Sequence, residues 1–122
     1  MRPTSPRRLA YGYLRMLPGL GIDDVLRLQR DLMVFAETNG LVLADVFVEA
    51  QWQQLRAWQE LVAHSRMKNV THVVMPSPEH LHQIPVLAEI MKDEVEREIG
   101  GQLWLVEPFE ETAPQSQEAG RE

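Results

Sequence analysis

Cysteine is absent from the 122-residue sequence. That excludes disulfides and thiolate metal ligands and makes a cytoplasmic location the default expectation. Long apolar runs are missing too. Stretches such as Leu41-Val42-Leu43 and Val73-Val74-Met75 fall far short of the roughly 20 residues a bilayer-crossing helix needs, so no membrane association is expected. No opening segment combines a basic start, an apolar middle and a small-residue cleavage site, so no secretory leader is expected. Basic residues are scarce: 12 Lys and Arg stand against 18 Asp and Glu, for a net charge of −6. A duplex-binding domain gains most of its affinity by neutralising phosphates. DNA binding by this chain alone is therefore expected to be weak or nil.

What is present is an ordinary globular composition, 44% hydrophobic and 25% charged, with room for one domain and one core. Arg2, Arg7 and Arg8 make a basic, flexible leader over 1–8. Glu107, Glu110, Glu111, Glu118 and Glu122 against Arg121 make an acidic end, and the polar, non-periodic stretch 109–122 is predicted to be disordered. The domain occupies 9–108. Within it, strands alternate with amphipathic helices. LAYGYLR at 9–15 reads as a strand that stops before Pro18-Gly19. Val25, Leu28, Leu32 and Phe35 recur at helical spacing behind Asp23 and Asp24, and Asn39-Gly40 ends that helix. LVLADVFVE at 41–49 is apolar on both sides, as in a strand covered by helices on both faces.

A helix is predicted over 52–66, with Trp52, Leu55, Trp58, Leu61 and Val62 on one face, then a strand at 70–76. A turn at 77–83 follows, with Ser77 as its cap. Pro85 is poorly tolerated deep in a helix, which places the third helix at 84–98, with Ile84, Leu87, Met91 and Val95 inward and Ile90 alongside. Gly100-Gly101 precedes a last strand, QLWLV at 102–106. The order β-α-β-α-β-α-β implies an α/β three-layer sandwich around a mainly parallel four-stranded sheet.

These pieces resemble the catalytic domain of serine recombinases, the resolvase/invertase family. The likeness lies in Tyr11-Gly12-Tyr13-Leu14-Arg15 followed a helix later by Gln29-Arg30, in FAETNGLVLADVFVE at 35–49, in VVMPSPEHLHQ at 73–83, and in VLAEIMKDEVEREIGGQLWLVEP at 86–108. The resemblance implies a Ser nucleophile that attacks a DNA phosphodiester while arginines stabilise the developing charge. Residue by residue, Arg15 matches the Arg ending the first strand. The nucleophile falls at Leu17, the Asp-Arg of the third-strand turn at Glu79 and His80, and a further Arg at Gln83. The loop that carries another Arg is reduced to Ala50-Gln51. The family's long helix after the sheet and its DNA-reading domain are not expected in this chain. The resemblance thus implies a pseudoenzyme: a catalytically inactive, resolvase-like domain acting as a protein–protein interaction or regulatory module, with no cofactor.

Two other functions fit the same residues. One is a small-molecule or anion site in the strand-end crevice, formed by Arg15, Met16, Ser77 and His80; the simpler expectation there is that Arg15 pairs with Glu79. The other is an accessory subunit of an active recombinase. Glu79, His80 and His82, with His64 and His72, lack the converging spacing of a zinc site, so no metal is expected and the histidines read as surface residues. For a protein partner, Trp52 is the candidate anchor. Leu103, Trp104 and Leu105 are candidates for a contact along an edge strand. The chain is expected to be either a monomer, its edge blocked by 107–111, or a dimer through strand 102–106.

Overall fold

The computed structural model describes residues 8–108. Most of the basic leader and the whole acidic stretch 109–122 lie outside the described residues. The elements run β1 (Arg8–Arg15), α1 (Ile22–Thr38), β2 (Leu41–Glu49), α2 (Arg56–Lys68), β3 (His72–Met75), a 3-10 turn (Pro78–His80), α3 (Pro85–Ile99) and β4 (Gln102–Leu105). All strand pairs are parallel and the sheet order is β2-β1-β3-β4. The chain steps one way from β1 to β2 and the other way from β2 to β3 and β4. With right-handed crossovers, that reversal puts α1 on one face of the sheet and α2 with α3 on the other.

The two cores follow from strand parity. Ala10, Leu14, Leu41 and Val74 pack under Leu32 and Ala36 of α1. Tyr11, Tyr13, Val73, Met75 and Leu103 point the other way, onto Trp58, Leu61, Val62, Val95 and Ile99. Burying each large aliphatic side chain contributes about 2 kcal/mol. Tyr11 meets Phe47, and Tyr13 meets Trp58, edge to face, each at 5.2 Å between ring centroids. β2 keeps this parity only through a bulge. Ala10 pairs with Leu43 but Tyr11 with Asp45, so Ala44 is the inserted residue. The insertion lets Leu43 and Val46 share the α1 side while Phe47 packs among the α2 and α3 side chains.

Two helices differ from expectation. α2 begins at Arg56, so Trp52 and Leu55 lie outside it, and Leu55 is exposed. A turn closed by the Gln54 N–H on the Gln51 carbonyl occupies the intervening residues. α3 starts at Pro85, a position whose missing N–H costs nothing. Its buried residues are Ala88, Val95 and Ile99, whereas Ile84, Leu87 and Ile90 face solvent. Met91 and Val95 pack on the core as expected, but in the first turns the small Ala88 faces the sheet instead of Ile84 and Leu87, and it lets the helix approach. Among the described residues, no helix is long and apolar enough to cross a membrane.

Candidate functional site

The strand order reverses between β1 and β3, and an open parallel sheet leaves a crevice beyond the strand ends at such a point. Arg15 ends β1 and His80 follows β3, and the two meet there: the Arg15 backbone N–H donates to His80 Nδ1 at 2.8 Å. The ring is 3% exposed, which corrects the expectation of a surface histidine. Burial, reinforced by the Arg15 charge, pushes its pKa from 6.5 down to about 4. With Nδ1 accepting, a neutral ring carries its proton on Nε2. His80 is therefore a structural acceptor at neutral pH.

Alternation along β1 puts Tyr13 and Arg15 on one face. The Arg15 guanidinium donates from Nε to the Tyr13 hydroxyl at 3.2 Å and from Nη1 to the Trp52 carbonyl at 3.3 Å, and it lies over the Tyr13 ring. Tyr13 in turn donates to Glu49 Oε2 at 2.6 Å. Glu49 also accepts the Ala57 N–H at 2.7 Å on Oε1 and the Trp58 N–H at 3.2 Å on Oε2. α2 has no side-chain cap of its own and no acid in its first turn; Glu49, from the end of β2, satisfies two of its orphan donors. That carboxylate fixes where α2 can begin. Burial, together with the bond to Glu49, raises the Tyr13 pKa far above its ordinary value.

The expected Arg15–Glu79 pair does not form. No carboxylate lies within ion-pair range of Arg15 among the described residues, because its side chain is drawn toward Tyr13 and Trp52. Leu17 occupies the turn after β1. Its carbonyl accepts the Leu20 N–H at 3.0 Å, with Gly19 at φ 92°. This is a type II turn with Pro18 and Gly19 at the positions that suit them.

Leu17 separates two clefts. One, of about 260 Å³, is lined by Arg15, Trp52, Glu79, His82 and Gln83; the other, of about 240 Å³, by Leu28, Asp31, Ser77, His80 and Val106. A third cleft, about 250 Å³, lies between α2 and α3 over Arg15 and His80. Arg15 and His80 are thus brought together, while Ser77 opens into the cleft on the α1 side, away from the Arg15 side chain. Ser77 begins the 3-10 turn but its hydroxyl makes no capping bond, correcting that expectation; its carbonyl accepts the His80 N–H instead. Among the described residues, no three His, Asp or Glu side chains converge. His72 accepts from Trp104, and His82 from the Ile84 backbone.

Trp52 is partly exposed beside Arg15. On β4, Leu103 is buried in the core and cannot offer its side chain to a partner, whereas Trp104 and Leu105 are half-buried. Trp104 packs on Phe35 and donates its indole N–H to His72 Nδ1 at 3.1 Å. β4 does lie at the sheet edge.

Glu49 and Tyr13 were missed by sequence reasoning. The available signal was an acid ending an apolar strand on the side of Phe47, just before an uncapped helix.

No protein-family model and no curated protein matches the chain. Solved structures do. The C-terminal catalytic domain of ISC1926 TnpA, an IS607-like serine recombinase, is similar at a TM-score of 0.65 and 19% identity, over 85% of this chain and 72% of that one. The N-terminal catalytic domain of TP901-1 integrase is similar at 0.58 and 18%, over 81% and 77%. At these identities the likeness establishes architecture: the chain has the α/β fold of serine recombinase catalytic domains, with a four-stranded parallel sheet and three helices.

Proposed function

We propose that this chain is a catalytically inactive, serine-recombinase-like domain that works as a protein-binding or regulatory module. The observation that carries the reading is Leu17. It sits two residues beyond Arg15 at the strand-end crevice, where the resemblance calls for a nucleophilic hydroxyl, and an alkyl side chain has no lone pair with which to attack phosphorus. The surroundings support it. On the same resemblance, Glu79, His80 and Gln83 take the positions of an Asp and two arginines; His80 is neutral and buried, and Arg15 spends two donors on Tyr13 and Trp52. A phosphoryl transition state needs several preorganised cations.

Binding to another protein is supported by the exposed apolar side chains Val86, Leu87 and Ile90, neighbours by helical spacing on α3, since exposed apolar surface is where partners dock. The test has two arms. Incubation with supercoiled plasmid, quenched under denaturing conditions, should yield no nicks and no protein–DNA adduct, for the wild type and for Leu17→Ser alike. An adduct formed by the wild type would overturn the reading. In native extracts, a partner retained at fixed stoichiometry should be lost on Ile90→Glu.

A second reading, anion binding at the crevice, is favoured by Arg15 lacking a carboxylate partner among the described residues. Titration with inorganic phosphate should then change the emission of Trp52 in the wild type but not in Arg15→Gln. A role as accessory subunit of an active recombinase would require this chain to co-purify with one.

A further inference from the structure

β4 is the edge of the sheet beside β3. The Gln102 N–H reaches the Thr71 carbonyl and the Val106 N–H the Met75 carbonyl, both toward β3. Successive residues alternate, so the N–H and C=O of Leu103 and Leu105 point outward, where a further strand would pair. The strand itself, Gln-Leu-Trp-Leu, carries no charge to repel one. Its outward groups are also self-complementary. A two-fold axis through Trp104 would set Leu103 against Leu105 of a second copy and Leu105 against its Leu103, forming four backbone hydrogen bonds around a facing pair of tryptophans.

That pairing is obstructed. The Leu103 N–H donates at 2.9 Å to Glu96 Oε2, and Lys92 Nζ holds the same oxygen at 3.2 Å. Glu96 and Lys92 are neighbours one turn apart on α3. The chain reverses into β4 through Gly100-Gly101 alone, and that short turn brings the last turn of α3 over the start of the strand. Gly101 is what makes the turn so tight, because a Cβ there would sit 1.8 Å from the Thr71 carbonyl oxygen.

We propose that the Glu96 carboxylate, clasped by Lys92, guards the sheet edge and prevents β4 from pairing antiparallel with β4 of a second copy. Native sheets commonly protect an edge with an inward-reaching charge, and here the charge comes from the neighbouring helix instead of the strand. The opposite edge is protected by other means, the β2 bulge with exposed Asp45. The inference stands whichever partner the proposed module takes.

Light scattering across a concentration series on the full chain tests it. The wild type should show no association through β4. Glu96→Ala should dimerise at a concentration at least tenfold lower, and adding Trp104→Lys should reverse that gain. Folded Glu96→Ala that associates no more than the wild type, or whose association survives Trp104→Lys, would overturn the guard. Amide exchange on the wild type gives a readout independent of any variant's folding. The Leu103 amide should exchange slowly and the Leu105 amide fast. Equal rates, both fast without the clasp or both slow in a β4-paired dimer, would also overturn it.

Discussion

At the scale of single residues, the crevice is organised by two buried groups with opposite electrostatic demands. Glu49 accepts three hydrogen bonds, from Tyr13, Ala57 and Trp58. Removing it strands a buried hydroxyl and two helix-start amides. Glu49→Ala should therefore destabilise the fold by about 2–4 kcal/mol and Glu49→Gln by roughly 1–2 kcal/mol, read from urea midpoints at unchanged slope. His80 makes the opposite demand, for neutrality. Its pKa is about 4 in the folded chain against 6.5 ordinarily, so between those values the unfolded chain binds the extra proton. Stability is then complete above pH 6.5 and falls as the pH is lowered toward 4, by up to about 3 kcal/mol. His80→Asn keeps an acceptor for the Arg15 N–H without a titrating ring and should remove that part of the slope. The residual slope should include His72, whose pKa burial and Arg8 also lower. If thermal melts of wild type and His80→Asn fall in parallel from pH 7 to 4, His80 is not the group responsible.

Among elements, legibility depended on how local the determinant was. β1, α1 and β2 could be read from alternation, helical spacing and the Asn39-Gly40 stop, because the residues that define them are their own. The start of α2 could not, since it is set by Glu49 in the preceding strand, and Trp52 looked like a helix residue only by spacing. On α3, Met91 and Val95 meet the core as expected, but the first turns were misread for a related reason. The larger side chains Ile84, Leu87 and Ile90 outweigh Ala88 in any hydrophobic count, but close approach to the sheet selects the small one. The bulge in β2 was equally hidden, because one inserted residue in a strand apolar on both faces leaves no break in its pattern. The α3–β4 turn gives a sharp check on this picture. Gly101→Ala must push apart α3 and β3 or break the turn, because the new Cβ has backbone, not a movable side chain, in its way. A loss of at least about 2 kcal/mol is expected in chemical denaturation. A neutral result would mean that the turn is free to relax, and Glu96 would then lose the fixed position its contact with Leu103 requires.

For the whole molecule, the fold was legible because strand–helix alternation and right-handed crossovers leave few arrangements, and similarity to solved serine recombinase domains bears it out. Three-dimensional proximity within the crevice was less so. Arg15 and His80 were singled out, yet their direct contact and the Tyr13–Glu49 link rest on pairings across 65 and 36 positions. The same scale decides how the chain should behave toward DNA. Its net charge is −6, and several of its cations are already committed. Arg27 pairs with Asp24, Lys92 with Glu96 and Arg97 with Glu94, while Arg15 is turned onto Tyr13 and Trp52. Each phosphate contact would steepen the dependence of binding on salt by close to one power of concentration. With acids outnumbering bases 18 to 12, fluorescence anisotropy on a labelled duplex should show binding weaker than about 10 µM at physiological salt. The logarithmic salt slope should be shallow, no steeper than about −3. A nanomolar affinity with a slope of about −6 or more would require a basic face, and would favour the accessory-subunit reading over an independent protein-binding module.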